Sequence, residues 1–161
     1  MNYASSLATS LRFAALGAAA LLSLDAGSPA AAANVAGHYF DYTSRLCSHV
    51  ATCQLGFNTT PLGNSIVIDR VSCDMYVSGA SPQPIIKVEL GRTLTGSVLN
   101  DQGGFLAPLT LVSQSATLKR YSMNVETMSV VGTLYHPVIT IYAQGVVAQL
   151  AGYCHISGSL V

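Results

Sequence analysis

Three side chains in the first third of the chain are of types that bind metal ions. His38, Asp41 and His49 lie close together in the sequence, and imidazole nitrogen and carboxylate oxygen are both common ligands of zinc and related ions. None of the histidines has an H-x-H, H-x-x-x-H or HExxH spacing, so the pattern fixes no coordination geometry. We expect these three residues to be solvated loop residues and keep a metal centre built from them as the alternative.

The sequence contains no pattern of a nucleophilic, phosphate-binding or acid–base active site. No serine lies in a G-x-S-x-G elbow, and Gly103-Gly104 is not followed by the lysine of a phosphate-binding loop. Glycoside hydrolysis needs two positioned carboxylates, and the spacing pairs none of the candidates. These candidates are Asp69, Asp74, Glu89, Asp101 and Glu126. We therefore expect no catalytic residue, no cofactor and no enzymatic activity.

Tyrosines are the candidate binding residues. A tyrosine on a sheet face combines an apolar ring with a hydroxyl, which suits sugars and protein partners, although tyrosines also pack at sheet edges with only the hydroxyl in water. We take Tyr39, Tyr42, Tyr76 and Tyr121 as candidates for an exposed binding patch.

Composition excludes one class of partner. The formal net charge is zero and only 9% of the residues are charged, so the chain lacks the basic surface that steers proteins to nucleic acid. We expect a protein or a glycan of the cell envelope as the partner, and no nucleic acid.

The first residues have the order of a secretory signal peptide. Arg12 precedes a largely apolar run over residues 13–24, and small residues including Ala30 and Ala33 follow. A membrane-spanning helix needs about 20 apolar residues, so this run is too short for one. We expect residues 1–33 to be removed after Ala33, no transmembrane anchor in the rest, and a secreted or periplasmic mature protein.

The remaining residues, 34–161, predict one all-β domain. The clearest strand signal is residues 65–77, where Val71, Cys73 and Met75 share one side of a period-two alternation. Asp69 interrupts the apolar side, so a β-bulge or a polar partner must account for it, because a lone buried carboxylate is costly. Short strands with turns between them indicate an antiparallel β-sandwich of jelly-roll or immunoglobulin-like type, with seven or eight strands. We expect residues 34–60 to be its irregular N-terminal segment.

The four cysteines predict two disulfides. An even number in an exported chain favours disulfides over metal ligands, and four cysteines allow three pairings. We expect a local Cys47–Cys53 bridge across a short loop. Cys73 and Cys154 then pair, because each lies on the apolar side of its own strand and both point into the core.

Two short blocks carry a family resemblance. Residues 61–72 open a strand with Pro61 and Gly63, and residues 155–161 end the chain with the pattern S-G-x-L-V. In both blocks the chain resembles a group of uncharacterised exported bacterial β-sandwich proteins. The resemblance implies a β-sandwich and export, and it implies no catalytic residue.

Three functions remain as expectations. The first is an exported, non-enzymatic module that binds a protein, a glycan or an envelope component. The second is a small periplasmic metal-binding protein or enzyme that uses His38, Asp41 and His49. The third is a subunit of a surface assembly, which requires an unpaired apolar edge strand.

Overall fold

The computed structural model describes residues 33–61, 63–94, 100–106 and 109–161. Within these ranges the protein is all-β, and every strand pair is antiparallel. The strands are β1 (Ala33–Val35), β2 (His38–Gly56), β3 (Ile66–Ser78), β4 (Ile85–Leu94), β5 (Asn100–Leu106), β6 (Thr110–Gln114), β7 (Leu118–Val131) and β8 (Tyr135–Leu160).

Strand β8 is the longest strand, and it pairs with three others. Its first half, residues 135–143, lies between β4 and the end of β2. Its second half, residues 147–160, lies between β3 and the start of β2. The sheet order is therefore β1-β2-β8-β3-β7-β6, with β4 and β5 attached along the first half of β8.

Strands β2 and β8 turn back on themselves at the same place. Their register breaks between Val50 and Thr52, where the partner position on β8 jumps from Val147 to Tyr142. The Cα atoms of Cys47 and Cys53 are 5.8 Å apart at a sequence separation of 6, whereas the same stretch of extended strand spans roughly 20 Å. The end of β2 therefore folds over its start, and β8 follows it.

Gly152 shows that the two halves of β8 face each other. An ideal Cβ on this residue would lie 2.6 Å from Ile141 Cδ1 and 3.1 Å from Leu55 Cδ2. Gly152 belongs to the second half of β8, whereas Ile141 belongs to the first half and Leu55 to the end of β2. Side chains of one half thus press on the backbone of the other, and no room is left there for a methyl group.

One hydrophobic core lies between these faces. Apolar side chains from both halves join it, among them Leu55, Val71, Met75, Val88, Ile139, Ile141, Leu150 and Ile156. Each buried Val, Leu, Ile or Met side chain contributes about 1.5–3 kcal/mol relative to an exposed one. This burial is the main force that keeps the sheet folded over.

Asp69 is accommodated by a bulge, one of the two solutions that the sequence predicted. The register of β3 shifts between Ile68 and Arg70 against both of its neighbours. The extra residue turns Asp69 to solvent, where its carboxylate accepts a hydrogen bond from Ser157 Oγ at 3.0 Å. Ile68 and Val71 both stay in the core as a result.

The structure contains two disulfides, with the pairing that the sequence predicted. Cys47–Cys53 closes the fold-over of β2. Cys73 and Cys154 are directly opposite each other on β3 and β8, with Cα atoms 4.1 Å apart, and both are buried. Two intramolecular disulfides fit an extracellular or periplasmic environment, where thiols are oxidised.

The expectation that residues 34–60 are irregular is wrong. Most of this segment is β2, which pairs with β8 over almost its full length. Its burial alternates only near its two ends and is lost in the middle, where the strand turns back. The fold-over therefore removes the period-two signal from which a strand is recognised.

The predicted signal peptide lies outside the described residues, except for Ala33, which is the first residue of β1. In the described ranges no helix has the length and apolar character needed to cross a membrane.

Removing the Cys73–Cys154 bridge is expected to destabilise the protein more than removing Cys47–Cys53. In the chain-entropy treatment the long loop contributes about 4.5 kcal/mol and the short loop about 2.4 kcal/mol. Thermal melts of a Cys73→Ala/Cys154→Ala variant and a Cys47→Ala/Cys53→Ala variant measure the difference. Equal losses of Tm in the two variants would contradict this ranking.

Candidate binding groove

The predicted metal-binding residues do not form a metal site. All three lie in the described ranges, where no group of His, Cys, Asp and Glu side chains is arranged to hold a metal ion. His38 and His49 are exposed, whereas Asp41 is buried. The same strand therefore turns the two imidazoles to solvent and the carboxylate to the interior.

Asp41 instead joins the two ends of β2. Its Oδ2 accepts hydrogen bonds from Asn58 N at 2.8 Å and from Tyr39 Oη at 3.1 Å. Its Oδ1 accepts from Tyr42 N at 2.8 Å and from Asn58 Nδ2 at 3.0 Å. Four donors compensate the burial of this carboxylate. Because Asn58 follows the end of β2, these bonds hold the fold-over at a point remote from the Cys47–Cys53 bridge.

Two of the four candidate tyrosines cannot belong to an exposed patch. Tyr39 is fully buried and Tyr121 is 7% exposed. Burial raises the pKa of Tyr39 far above its ordinary value, and the neighbouring Asp41 carboxylate raises it further. Tyr121 shares the apolar side of its strand with Met123, so the alternation already indicated its burial. Around Tyr39 the alternation separates the two faces but does not identify which one is buried.

Tyr42 and Tyr76 are exposed on the outer face of the sheet formed by β2, β8, β3 and β7. The structure adds Tyr153, which was not among the four candidates and which is 48% exposed. Its ring centroid is 5.9 Å from that of Tyr42. Tyr153 follows the inward Gly152 and precedes the inward Cys154, so its outward position was readable from parity.

Tyr76 and Tyr153 border a groove on the same outer face. The groove has a volume of about 980 Å³ and an apolar lining for most of its surface. Its lining residues are Ser44, Arg45, Leu46, Asp74, Met75, Tyr76, Leu118, Arg120, Ala151, Gly152 and Tyr153. Strand pairing fixes their order, since Leu46, Ala151, Tyr76 and Arg120 form one row across four strands, and Ser44, Tyr153 and Asp74 form the next.

Two charged side chains face this apolar groove. Arg120 Nη2 lies 3.5 Å from Asp74 Oδ1, and both side chains are more than half exposed. Arg45 also lines the groove, but it is the cross-strand partner of the inward Gly152, and its Nη1 donates to the carbonyl oxygen of Gln54 at 3.2 Å. Its guanidinium group is therefore directed to the inner side of the sheet.

Each candidate carboxylate whose side chain is described contacts a residue other than a second carboxylate. Asp69 and Asp74 contact Ser157 and Arg120 respectively, as described above. Glu126 pairs with Arg70 at 3.2 Å on the outer face. The side chain of Asp101 lies outside the described part.

Glu89 belongs to a separate cluster on β4 and β8. It accepts a hydrogen bond from Tyr142 Oη at 2.7 Å and forms an ion pair with Lys87. Lys87 also lies over the Tyr142 ring, 4.9 Å from its centroid. The hydrogen bond from Lys87, followed by that from Tyr142, lowers the pKa of Glu89. The pKa of Tyr142 is raised, first by its bond to Glu89.

His136 lies on β8. It sits opposite Thr93 of β4, and its Nδ1 is buried without a hydrogen-bond partner among the described residues. Burial lowers the pKa of this imidazole because it disfavours the charged form.

Replacing Asp41 by Asn is expected to lower the free energy of unfolding by about 3 kcal/mol. The amide loses the charge that strengthens four hydrogen bonds, and its NH₂ group faces donors instead of accepting from them. Urea denaturation measures the loss. Asp69→Asn is the matched control, since this exposed carboxylate accepts one bond, and its loss is expected to stay within about 0.5 kcal/mol. A stable Asp41→Asn protein would contradict the role of Asp41.

Stability is expected to fall as the pH drops from 7 to 5, in part through His136. In the unfolded chain its imidazole titrates near pH 6.5, whereas in the folded protein the pKa is lower. The unfolded state therefore binds more protons below about pH 6.5, and the free energy of unfolding decreases there. Denaturant titrations across this range are expected to give a flatter pH profile for His136→Gln. Identical slopes in the wild type and in His136→Gln would refute the assignment.

Comparisons of this chain with family models, with curated proteins and with solved structures give no match. The functional argument therefore rests on the groove and its residues.

Proposed function

We propose that this protein is an exported, non-enzymatic module that binds a glycan in the outer-face groove. The observation that carries the proposal is the groove, a concavity of about 980 Å³ bordered by Tyr76 and Tyr153. Small-ligand sites are typically apolar concavities of roughly 300–1,000 Å³ with a few polar groups that orient the ligand.

The residues of the groove suit a saccharide. A pyranose ring presents apolar C–H faces and a rim of hydroxyl groups. Tyrosine rings offer an apolar surface with a polar tip, and the hydroxyl, carboxylate and guanidinium groups of Ser44, Asp74 and Arg120 can exchange hydrogen bonds with sugar hydroxyls. Stable protein partners usually cover a flatter area of about 800 Å² on each side, which favours the glycan over a protein ligand.

The proposal includes the architecture and the compartment. We propose that the two facing halves of the sheet form an antiparallel β-sandwich of jelly-roll or immunoglobulin-like type. The contacts of Gly152 with Ile141 and Leu55 support this arrangement. We also propose that residues 1–33 are a signal peptide and that the mature chain is secreted or periplasmic, in agreement with its two disulfides.

A second candidate function is a subunit of a surface assembly joined through β6. All five residues of β6 are exposed, and in the described part of the sheet this strand pairs with β7 alone. Leu111 and Val112 are about half exposed and the strand carries no charge. An uncharged apolar edge is a template for pairing with another chain. An oligomer that Val112→Lys dissociates, without loss of glycan binding, would support this second function.

Glycan binding is expected to depend on the tyrosines that border the groove. With residues 34–161 and both disulfides intact, an oligosaccharide array identifies a ligand, and calorimetry measures its Kd. Tyr76→Ala and Tyr153→Ala are each expected to weaken binding about tenfold or more, because each removes an apolar surface that contacts the sugar ring.

The matched control is Phe40→Ala. Phe40 is an exposed aromatic residue on the same face of the sheet but outside the groove, and its loss should leave the Kd unchanged. Failure of every saccharide on the array to bind would overturn the proposed function.

A further inference from the structure

We propose that the glycan bound in the groove carries a carboxylate, as hexuronic acids do, and that Arg120 binds this group. The inference rests on the proposed function of the groove and specifies its ligand class. It follows from the geometry of Arg120 and from the position of Tyr76.

Arg120 is the positive group that faces the groove. Arg45 directs its guanidinium group to Gln54 on the inner side of the sheet, so the charged side chains at the groove are Arg120 and Asp74. Only 9% of the residues are charged, so an exposed guanidinium group on an apolar concavity is a distinct feature. It is the group to which an acidic part of a ligand can bind.

Arg120 keeps donors free for a ligand. Its contact in the described structure is the one with Asp74, and the 3.5 Å separation is longer than the 2.7–2.9 Å of a tight charge-assisted hydrogen bond. A guanidinium group has five N–H donors in a planar fork that matches a carboxylate. A ligand carboxylate can therefore form a bidentate pair with Arg120 without displacing Asp74 from its own contact with the guanidinium group.

Tyr76 is placed to bring such a carboxylate to Arg120. The two residues are direct cross-strand partners on β3 and β7, and side chains in such pairs have Cβ atoms about 4.5–5.5 Å apart. A sugar ring stacked on Tyr76 thus lies beside the guanidinium group, and an acid group on the ring edge falls within its reach. Asp74, which is the cross-strand partner of Tyr153, repels the same acid group.

The test compares matched acidic and neutral sugars. The probes are trigalacturonate and its carboxyl-reduced form, together with a wider array of uronic-acid and neutral oligosaccharides, all titrated into the disulfide-bonded protein by calorimetry. We expect the acidic probe to bind at least tenfold more tightly than its neutral form, with an affinity that falls as salt is added.

Three variants then distinguish the effect of the charged groups of the groove from the effect of its shape. Arg120→Gln is expected to weaken acidic binding about tenfold and to leave neutral binding unchanged, whereas Asp74→Asn should strengthen acidic binding. Arg70→Gln is the matched control, because Arg70 has the same 54% side-chain exposure and the same kind of cross-strand ion pair on this face, but lies outside the groove.

The outcomes distinguish the inference from the proposed function. If neutral sugars bind as tightly as acidic ones, or if Arg120→Gln weakens both equally, the acidic ligand is excluded and the glycan-binding function stands. If a poly-glutamate peptide binds and no saccharide does, the ligand is an acidic peptide and both proposals fail. If neither saccharides nor the peptide bind, both proposals fail as well.

Discussion

The strand β8 belongs to both halves of the sheet, and this sharing is the constraint on which the structure depends. Its first half pairs with β4 and with the end of β2, and its second half pairs with β3 and with the start of β2. The two halves are joined through a continuous backbone and pack on each other around Gly152. If either half of the sheet opens, apolar core side chains of both halves become exposed to water. The two halves are therefore expected to unfold together, as one cooperative unit.

Three covalent or charged links reinforce this arrangement at different places. Cys47–Cys53 closes the turn of β2, and Asp41 joins the two ends of the same strand through Asn58. Cys73–Cys154 fastens β8 to β3 within the sheet. The groove is built on these same strands, with lining residues from β2, β3 and β8. Tyr76 and Tyr153 therefore project from the two strands, β3 and β8, that the Cys73–Cys154 disulfide joins.

Parts of this structure were predictable because the alternation of inward and outward side chains along a strand is visible in the sequence as an alternation of apolar and polar residues. The alternation around Cys73 placed that cysteine in the core. It also required a β-bulge or a polar partner at Asp69, and the structure has a bulge there. The same rule placed Cys154 inside. The disulfide was predicted from these two facts and from the predicted signal peptide, without knowledge of which strands are neighbours.

Other parts depend on tertiary contacts that alternation does not encode. Strand β2 was missed because the fold-over interrupts its periodicity. Asp41 was expected in a solvated loop, with a metal site as the alternative, because its bonds to Asn58 come from outside its immediate sequence. Tyr121 lies on the same side of its strand as Met123, so its burial could be inferred from the alternation. The choice of Tyr39 was wrong because the sequence around it does not show which face of the strand is buried. The groove could not be predicted, since it unites residues of four strands whose order only the folded sheet defines.

Native-state hydrogen exchange, resolved by residue, tests the central claim most directly. If β8 joins the two halves into one cooperative unit, the slowest amides of residues 138–143 and of residues 150–156 should exchange with the same free energy, equal to that of global unfolding. Faster exchange of residues 138–143, through a separate opening with a lower free energy, would show that the two halves unfold independently and would contradict the account.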